Sequence, residues 1–444
     1  MEQTLISPAP VGRENRIQIL DSLRGMALLG ILMMNIPFFG KAFQLHYNLD
    51  ILGEYSGPNY WCWWAVNGLF EGTMRAIFSM LFGAGAILLL DRMEKKPVEG
   101  ITPADIYYRR LIWLLIFGLI NAYIFLWPGD ILYTYAITGL FLFPFRKLSA
   151  AKLALFGAAF MLFATIQATS KIRKPGKIRE KGERAMMAEK QHKKLTESQK
   201  AEKEEWVSFQ DNHSRAHFKT KIAEANKDMQ KGYFDIQSDL SNINKYIETK
   251  DFYTELFFDA LAFFLIGMAL FKTGFLSGQR SLQEYAAVAL FAYGMGLPLS
   301  YWIGSTAIHH HFDPSLTWQE FKVSPYHLKR LLMAMGHVSF ILVLYKLRIA
   351  GFILKLLSNV GQMAFTNYLM QSLICTFIFY GYGLALFGKL ERYQLYEVVA
   401  AVWIFQIVFS AIWLQFFRFG PFEWLWRSLT YWKRQPFLKE SGTV

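Results

Sequence analysis

Apolar runs of about 17–25 residues, the length that crosses a hydrocarbon core, recur along the chain. They fall at 20–39, 73–91, 111–127, 131–147, 150–169, 252–272, 284–304, 328–346, 363–382 and 394–417. This pattern predicts an all-α polytopic membrane protein with about ten transmembrane helices. The aromatic stretch NYWCWWAVNGLF at 59–70 reads either as an eleventh, short or re-entrant element or as a segment lying at the interface, where tryptophans concentrate. Lys and Arg collect in the short loops on the side of the N-terminus, which predicts that both termini are cytoplasmic.

Residues 171–250 break the apolar pattern. KQHKKLTESQKAEKEEWVSF and HFKTKIAEANKDMQ are rich in Lys, Glu, Gln and Ala and poor in Pro and Gly. That composition favours helix with one thin apolar face, projecting outside the membrane. It reads as a solvated insertion or as a hairpin for a protein partner of unknown identity. The expected organisation is a cytoplasmic tail over 1–19, a first membrane half of about five spans over 20–170, a charged helical extracytoplasmic insertion over 171–250, a second half of about five spans over 251–417, and a cytoplasmic amphipathic tail over 418–444.

Composition agrees with a bilayer as the main partner. The chain is 53% hydrophobic and 18% charged, against about 25% charged in an ordinary soluble domain. Its net charge of +13 sits beside membrane segments, where orientation accounts for it, and does not point to nucleic acid. Cys62 and Cys375 are the two cysteines; they build no disulfide framework, and no spacing suggests a metal site. Arg13 and Arg16 lie in a polar start, and no small-x-small cleavage site follows the first apolar run, unlike a signal peptide.

Polar groups inside spans are costly and therefore become functional candidates. In LDSLRGMALLGILMMNIPFF, Arg24 lies about 60° and Asn35 about 40° behind Asp21 around the helix, so the three share one face. Such a stripe suits a cleft better than lipid. Glu71 and Arg75 are four apart in FEGTMRAIFSMLFGAGA, a spacing that allows a pair on one helix face, while Ser79 and Gly83 make a small-xxx-small packing step. Arg109 and Arg110 sit at a cytoplasmic mouth, as topology anchors or as a clamp for phosphate. Asp130 stands where a helix N-cap is needed and is also placed to bind a substrate hydroxyl. Asn367 and Gln371 share a face and read as hydrogen-bond glue or as binding groups. Acid–base chemistry near neutral pH usually needs histidine, and His46 after the first span and His337 within the eighth are the candidates. His309, His310 and His311, with Asp313 close by, form a loop cluster whose adjacency argues against one shared metal.

LDSLRGMALLGILMMNI, FSMLFGAGA, GDILYTYAITGL, TNYLMQSLICTFIFYGYGLALFG and FRFGPFEWLWRSLTYWKRQP occur in this order. Together they resemble the YeiB-like bacterial integral membrane proteins, which carry a domain of unknown function. The resemblance runs from Leu20 to about Phe437 and implies a bacterial inner-membrane location. The opening D-x-x-R-G step is also similar to the start of the heparan-glucosaminide acetyltransferase family and, more loosely, to bacterial membrane O-acyltransferases. That likeness implies acyl transfer from a cytosolic thioester, with acyl-CoA as co-substrate, to an extracytoplasmic acceptor. A histidine after the first span is functional in such relatives, and His46 occupies a comparable region. Arg24, Arg109 and Arg110, with Arg427, Lys433 and Arg434, would then hold the phosphates of CoA. Two other functions fit the same features: export or transport of a small polar or lipid-like solute along the polar stripe, and a scaffold or sensor acting through the insertion.

Overall fold

The computed structural model describes residues 17–95 and 102–439; Arg13 and Arg16 lie outside them. Its helices, in chain order, are α1 (Gln18–Gly40), α2 (Gly57–Ala65), α3 (Thr73–Lys95), α4 (Pro103–Tyr123), α5 (Leu132–Leu140), α6 (Ala150–Lys190), α7 (Glu197–Asn212), α8 (Arg215–Asp228), α9 (Tyr233–Tyr246), α10 (Phe257–Lys272), α11 (Leu282–His309), α12 (Pro314–Glu320), α13 (Tyr326–Leu347), α14 (Gly351–Gln362), α15 (Ala364–Phe379), α16 (Arg392–Phe416) and α17 (Pro421–Tyr431). The starts of several are written locally: Thr102 with Asp105, and Ser281 with Glu284, close capping boxes on α4 and α11, each satisfying amide groups the first turn leaves open.

Among the described residues, seven helical stretches are long and apolar enough to cross a membrane: α1, Gly57–Lys95, α6, Tyr233–Lys272, α11, α13 and α16. The chain is thus a multi-pass helical membrane protein. The runs expected at 111–127 and 363–382 correspond to α4 and α15. The run at 131–147 gives only nine helical residues in α5 and then a 3-10 turn over Phe143–Lys147. Pro144 disfavours helix at the residue before it, and nine residues rise only about 14 Å. The 59–70 stretch forms α2 and a π-helical turn over Val66–Phe70, with Trp63 buried and Trp61 exposed.

Contacts sort the helix ends into two groups. One end, the insertion end, gathers the chain after α1, the starts of α3, α10, α13 and α16, and the ends of α4 and α15. The other, the tail end, gathers the starts of α1 and α4 with α14 and α17. α1 runs through the middle, most of its apolar window buried, whereas α6, α11 and α16 expose most of theirs. Leu155, Leu290, Phe291 and Ile404 on those outer helices are open to the surroundings, as a lipid-facing belt requires.

Glycines set the closest crossings. A Cβ at Gly83 would meet the Phe264 carbonyl at 2.1 Å, and one at Gly267 would meet the Met80 carbonyl at 2.0 Å, so α3 and α10 pack backbone to backbone. The Arg-Gly of the opening motif works the same way. α14, an amphipathic helix in what the sequence reads as a connection, lies across the start of α1, where Ser22 Oγ donates to the Leu354 carbonyl at 2.8 Å. A Cβ at Gly361 would stand 1.8 Å from the Asp21 carbonyl. Gly361→Ala should therefore push α14 off α1 and destabilise by about 1–3 kcal/mol, the usual range for overpacking; an unchanged unfolding midpoint in detergent would disprove that crossing.

The insertion folds back onto the bundle. α6 continues from the apolar zone as one helix of 41 residues, about 60 Å long, and α7 returns along it with Gly182 under Trp206. α8 and α9 then lie on the insertion end. Arg215 bonds Asp50 at 2.9 Å, Asn244 donates to the Ala122 carbonyl at 2.8 Å, and Tyr233 donates to the Ile124 carbonyl at 2.8 Å.

Candidate functional site

The densest polar assembly lies near the insertion end, where three helices begin. The π-turn before α3 ends at Glu71, and Gly72 follows at φ +68°, a backbone region that only glycine enters freely. The break releases carbonyls that would otherwise bond within a helix. Cations from α13 take them up: Lys329 Nζ reaches the carbonyls of Asn67 and Glu71 at 3.1 and 3.0 Å, and Arg330 Nε that of Gly72 at 3.0 Å. Lys329 also pairs with the Glu71 carboxylate at 3.0 Å, which accepts from Tyr326 at 2.9 Å. Asp259, in the first turn of α10, accepts Arg330 Nη1 on one oxygen at 2.5 Å and Arg75 Nη2 on the other at 3.3 Å, with His327 Nδ1 at 3.3 Å. The helix-face pair expected of Glu71 and Arg75 is not formed; each is drawn to a closer partner from another helix. Tyr135 donates to the Arg75 carbonyl at 3.3 Å and shares a 2.6 Å hydrogen bond with Ser79.

His46 lies in the loop after α1. It is buried, with Nε2 3.0 Å from the Lys41 carbonyl and its ring centroid 3.9 Å from that of Phe38. A carbonyl only accepts, so Nε2 carries the hydrogen and Nδ1 the lone pair in the neutral ring. Nδ1 is buried without a hydrogen-bond partner. Burial, helped by the charges of Arg392 and Lys41, pushes the ring down to about 4 against the opposing pull of the Lys41 and Pro37 carbonyls. Fully buried Arg392 holds this loop: its guanidinium pairs with Glu54 at 2.7 Å and donates to the carbonyls of Leu45 and His46 at 2.7 and 3.0 Å. His337 differs, because Nε2 faces the Leu69 carbonyl at 2.9 Å and Nδ1 the Tyr293 hydroxyl at 2.6 Å. Both of its nitrogens are engaged in packing between helices.

Other sequence candidates separate into distinct places. Asp130 caps α5 through the Tyr133 amide at 2.9 Å and accepts from Asn121 and Tyr368 at 2.9 and 3.2 Å. Burial raises its carboxyl to about 7, opposed by those hydrogen bonds. Gln371 donates to Gln406 at 3.0 Å, Gln406 to the Asn367 carbonyl at 2.7 Å, and Asn367 to Ser410 at 2.9 Å. That chain ties α15 to α16. Asn35 is half-buried on α1. At the tail end Arg24 pairs with Asp21 at 2.7 Å and lies within electrostatic reach of Arg110. The guanidiniums of Arg110 and Arg109 rest on the faces of Trp426 and Trp432 at 3.7 and 4.2 Å. Stacking of that kind leaves the N–H edges directed outward. Arg24 and Asn35 are separated by 11 residues of α1, about 16 Å along the axis.

Asp259, Lys329, Arg330, His327, Glu54 and Arg392 were not singled out by the sequence. Asp259 lies within an apolar run and the cations sit at span boundaries, where topology already explains basic residues. A carboxylate inside the 252–272 run was the available signal.

Residues 270–433 match a family described as protein of unknown function (DUF418). Over most of its length the chain is similar to uncharacterized proteins of bacteria. It is 29% identical to YxaH of Bacillus subtilis (strain 168), covering 97% of this chain and 98% of the relative. It is 28% identical to YeiB of Escherichia coli (strain K12), covering 93% and 95%. An uncharacterized 39.9 kDa protein of Bacillus acidopullulyticus is 27% identical, covering 97% and 98%. No solved structure matches the chain. The motifs read from the sequence, the matched segment and the full-length relatives agree: residues 270–433 match the DUF418 family, and the chain is similar along most of its length to YeiB and YxaH.

Proposed function

We propose that the chain is a transmembrane acyltransferase of the bacterial inner membrane, moving an acyl group from a cytosolic CoA thioester to a hydroxyl or amine on the insertion side. The observation that carries this reading is the His46 ring: Nε2 is fixed by the Lys41 carbonyl, and Nδ1 has no hydrogen-bond partner among the described residues. His46 Nδ1 attacks the thioester carbonyl carbon, the N–C bond forms, the C–S bond breaks, and CoA leaves as the thiolate. The Nε2–H···O bond to Lys41 supports the positive charge on the acylated ring. Attack by the acceptor restores His46, and the acceptor's proton ends on the CoA thiolate. Arg24, Arg109 and Arg110 at the tail end suit the phosphates, and the stripe from Arg24 to Asn35 suits an extended arm between the two ends. The basic tail end supports a cytoplasmic orientation for that side.

The test needs no known acceptor. Full-length protein in nanodiscs is incubated with radiolabelled acetyl-CoA and desalted at neutral pH. Wild type and His337→Ala should retain protein-bound label, whereas His46→Ala should lose it by about a hundredfold or more, the scale of a general base or nucleophile, while still binding acetyl-CoA. Because His46 is held down to about 4, the labelling rate should stay level from neutral pH until it falls near that value. An unfolded imidazole takes its proton near the ordinary value, so the stability linked to His46 declines across the same window. Binding without label in any variant removes His46 from the mechanism; absence of both favours the transporter reading.

A further inference from the structure

The cluster of Asp259, Arg75, Arg330, Lys329 and Glu71 has no place in that reaction, and its charges do not balance. Three cations face two carboxylates, leaving one excess positive charge. The strongest electrostatic neighbours of Arg75, Glu71 and Asp259 are members of the cluster itself, His327 and nearby tyrosines, and no other acid is among them. An uncompensated charge inside a helical bundle is costly.

The hydrogen bonds are incomplete in the same place. Arg330 is 0% exposed and its guanidinium lies over the rings of Phe263 and Tyr326, yet among the described residues its Nη2 has no hydrogen-bond partner, and neither has the buried Arg75 Nε. These two guanidiniums bracket Asp259, one on each carboxylate oxygen. Arginine forks of this kind match oxyanion geometry. The cluster is also reachable, because the Arg75 side chain is 32% exposed. Tyr47, 43% exposed, lies within electrostatic reach of Glu71, Tyr326 and Arg75, which puts an open flank of the loop after α1 beside the cluster.

We propose that this cluster is a binding site for a singly charged oxyanion, a carboxylate or a phosphate ester, held by Arg75 and Arg330. The anion cancels the excess charge and accepts from the two donors that the protein leaves unused. The site does not depend on acyl transfer. The same chemistry is carried by a soluble anion and by an anionic lipid headgroup, and Arg75 is the residue either would meet first.

Full-length protein in phosphatidylcholine nanodiscs is titrated calorimetrically with inorganic phosphate and with acetate. Saturable binding by wild type is expected, weakened at least about tenfold, or 1.4 kcal/mol, in Arg75→Gln. Arg75→Gln leaves two cations against two carboxylates, so it should fold. Arg330→Lys keeps the charge but removes Nη2, and it should weaken binding as well, which covers a failure of the first variant. If phosphatidylglycerol in the nanodisc abolishes the phosphate titration, the headgroup is the occupant; if it does not, the occupant is soluble, and both results support the site. No saturable binding up to about 20 mM of either anion together with no effect of phosphatidylglycerol would overturn it. So would undiminished binding in the folded variants.

Discussion

Asp259→Ala should be the most damaging single substitution in the membrane core, costing about 3–5 kcal/mol, because it leaves buried cations uncompensated. Asp259 joins Arg75 of α3 and Arg330 of α13 from a position on α10, so its loss affects three helices together. The expected readout is a large drop in the unfolding midpoint in a sodium dodecyl sulfate titration. Asp259→Leu combined with Arg330→Met should recover part of that loss, since removing both partners costs less than stranding one. Equal stability of Asp259→Ala and wild type would mean that the cluster is hydrated well enough for its charges to stand alone.

Arg392→Met should come close to it and reach the proposed chemistry as well. The substitution strands Glu54 and two loop carbonyls, again about 3–5 kcal/mol for an orphaned buried charge, and it frees the backbone that carries His46. Arg392→Lys separates the two effects. It keeps the charge but replaces a multi-point fork with one flexible ammonium, so the protein should fold while acyl labelling of His46 falls. Full labelling in a folded Arg392→Lys protein would show that the loop needs only the charge.

Much of the helical framework was legible because bilayer length and apolar composition act along contiguous residues. The Asp21–Arg24 pair was legible for a similar reason: three residues on a helix are neighbours in space. Gly83 marked a close crossing without saying which carbonyl it would meet. The Asp259–Arg330 and Arg392–Glu54 pairs join residues 71 and 338 positions apart, and nothing local specifies such partners. α14 was missed because an amphipathic helix lying across α1 is too short and too polar on one side to read as a span. Glu71 and Arg75 show the limit of spacing arguments, since a helix break at Gly72 removed the shared face that the spacing assumed.

α6 enters the bundle as an apolar rod and leaves it as the first arm of the insertion without a change of helix. Pro175 and Gly176 mark the point where it would bend, and the Trp318 indole of α12 packs against Gly176. Hydrophobic mismatch is relieved largely by helix tilt, and a tilt of this rod moves its far end sideways by more than its near end. That end carries α7, and through it α8 and the Arg215–Asp50 contact. A change in membrane thickness that tilted the rod would thereby shift, by leverage, the surface above the His46 loop.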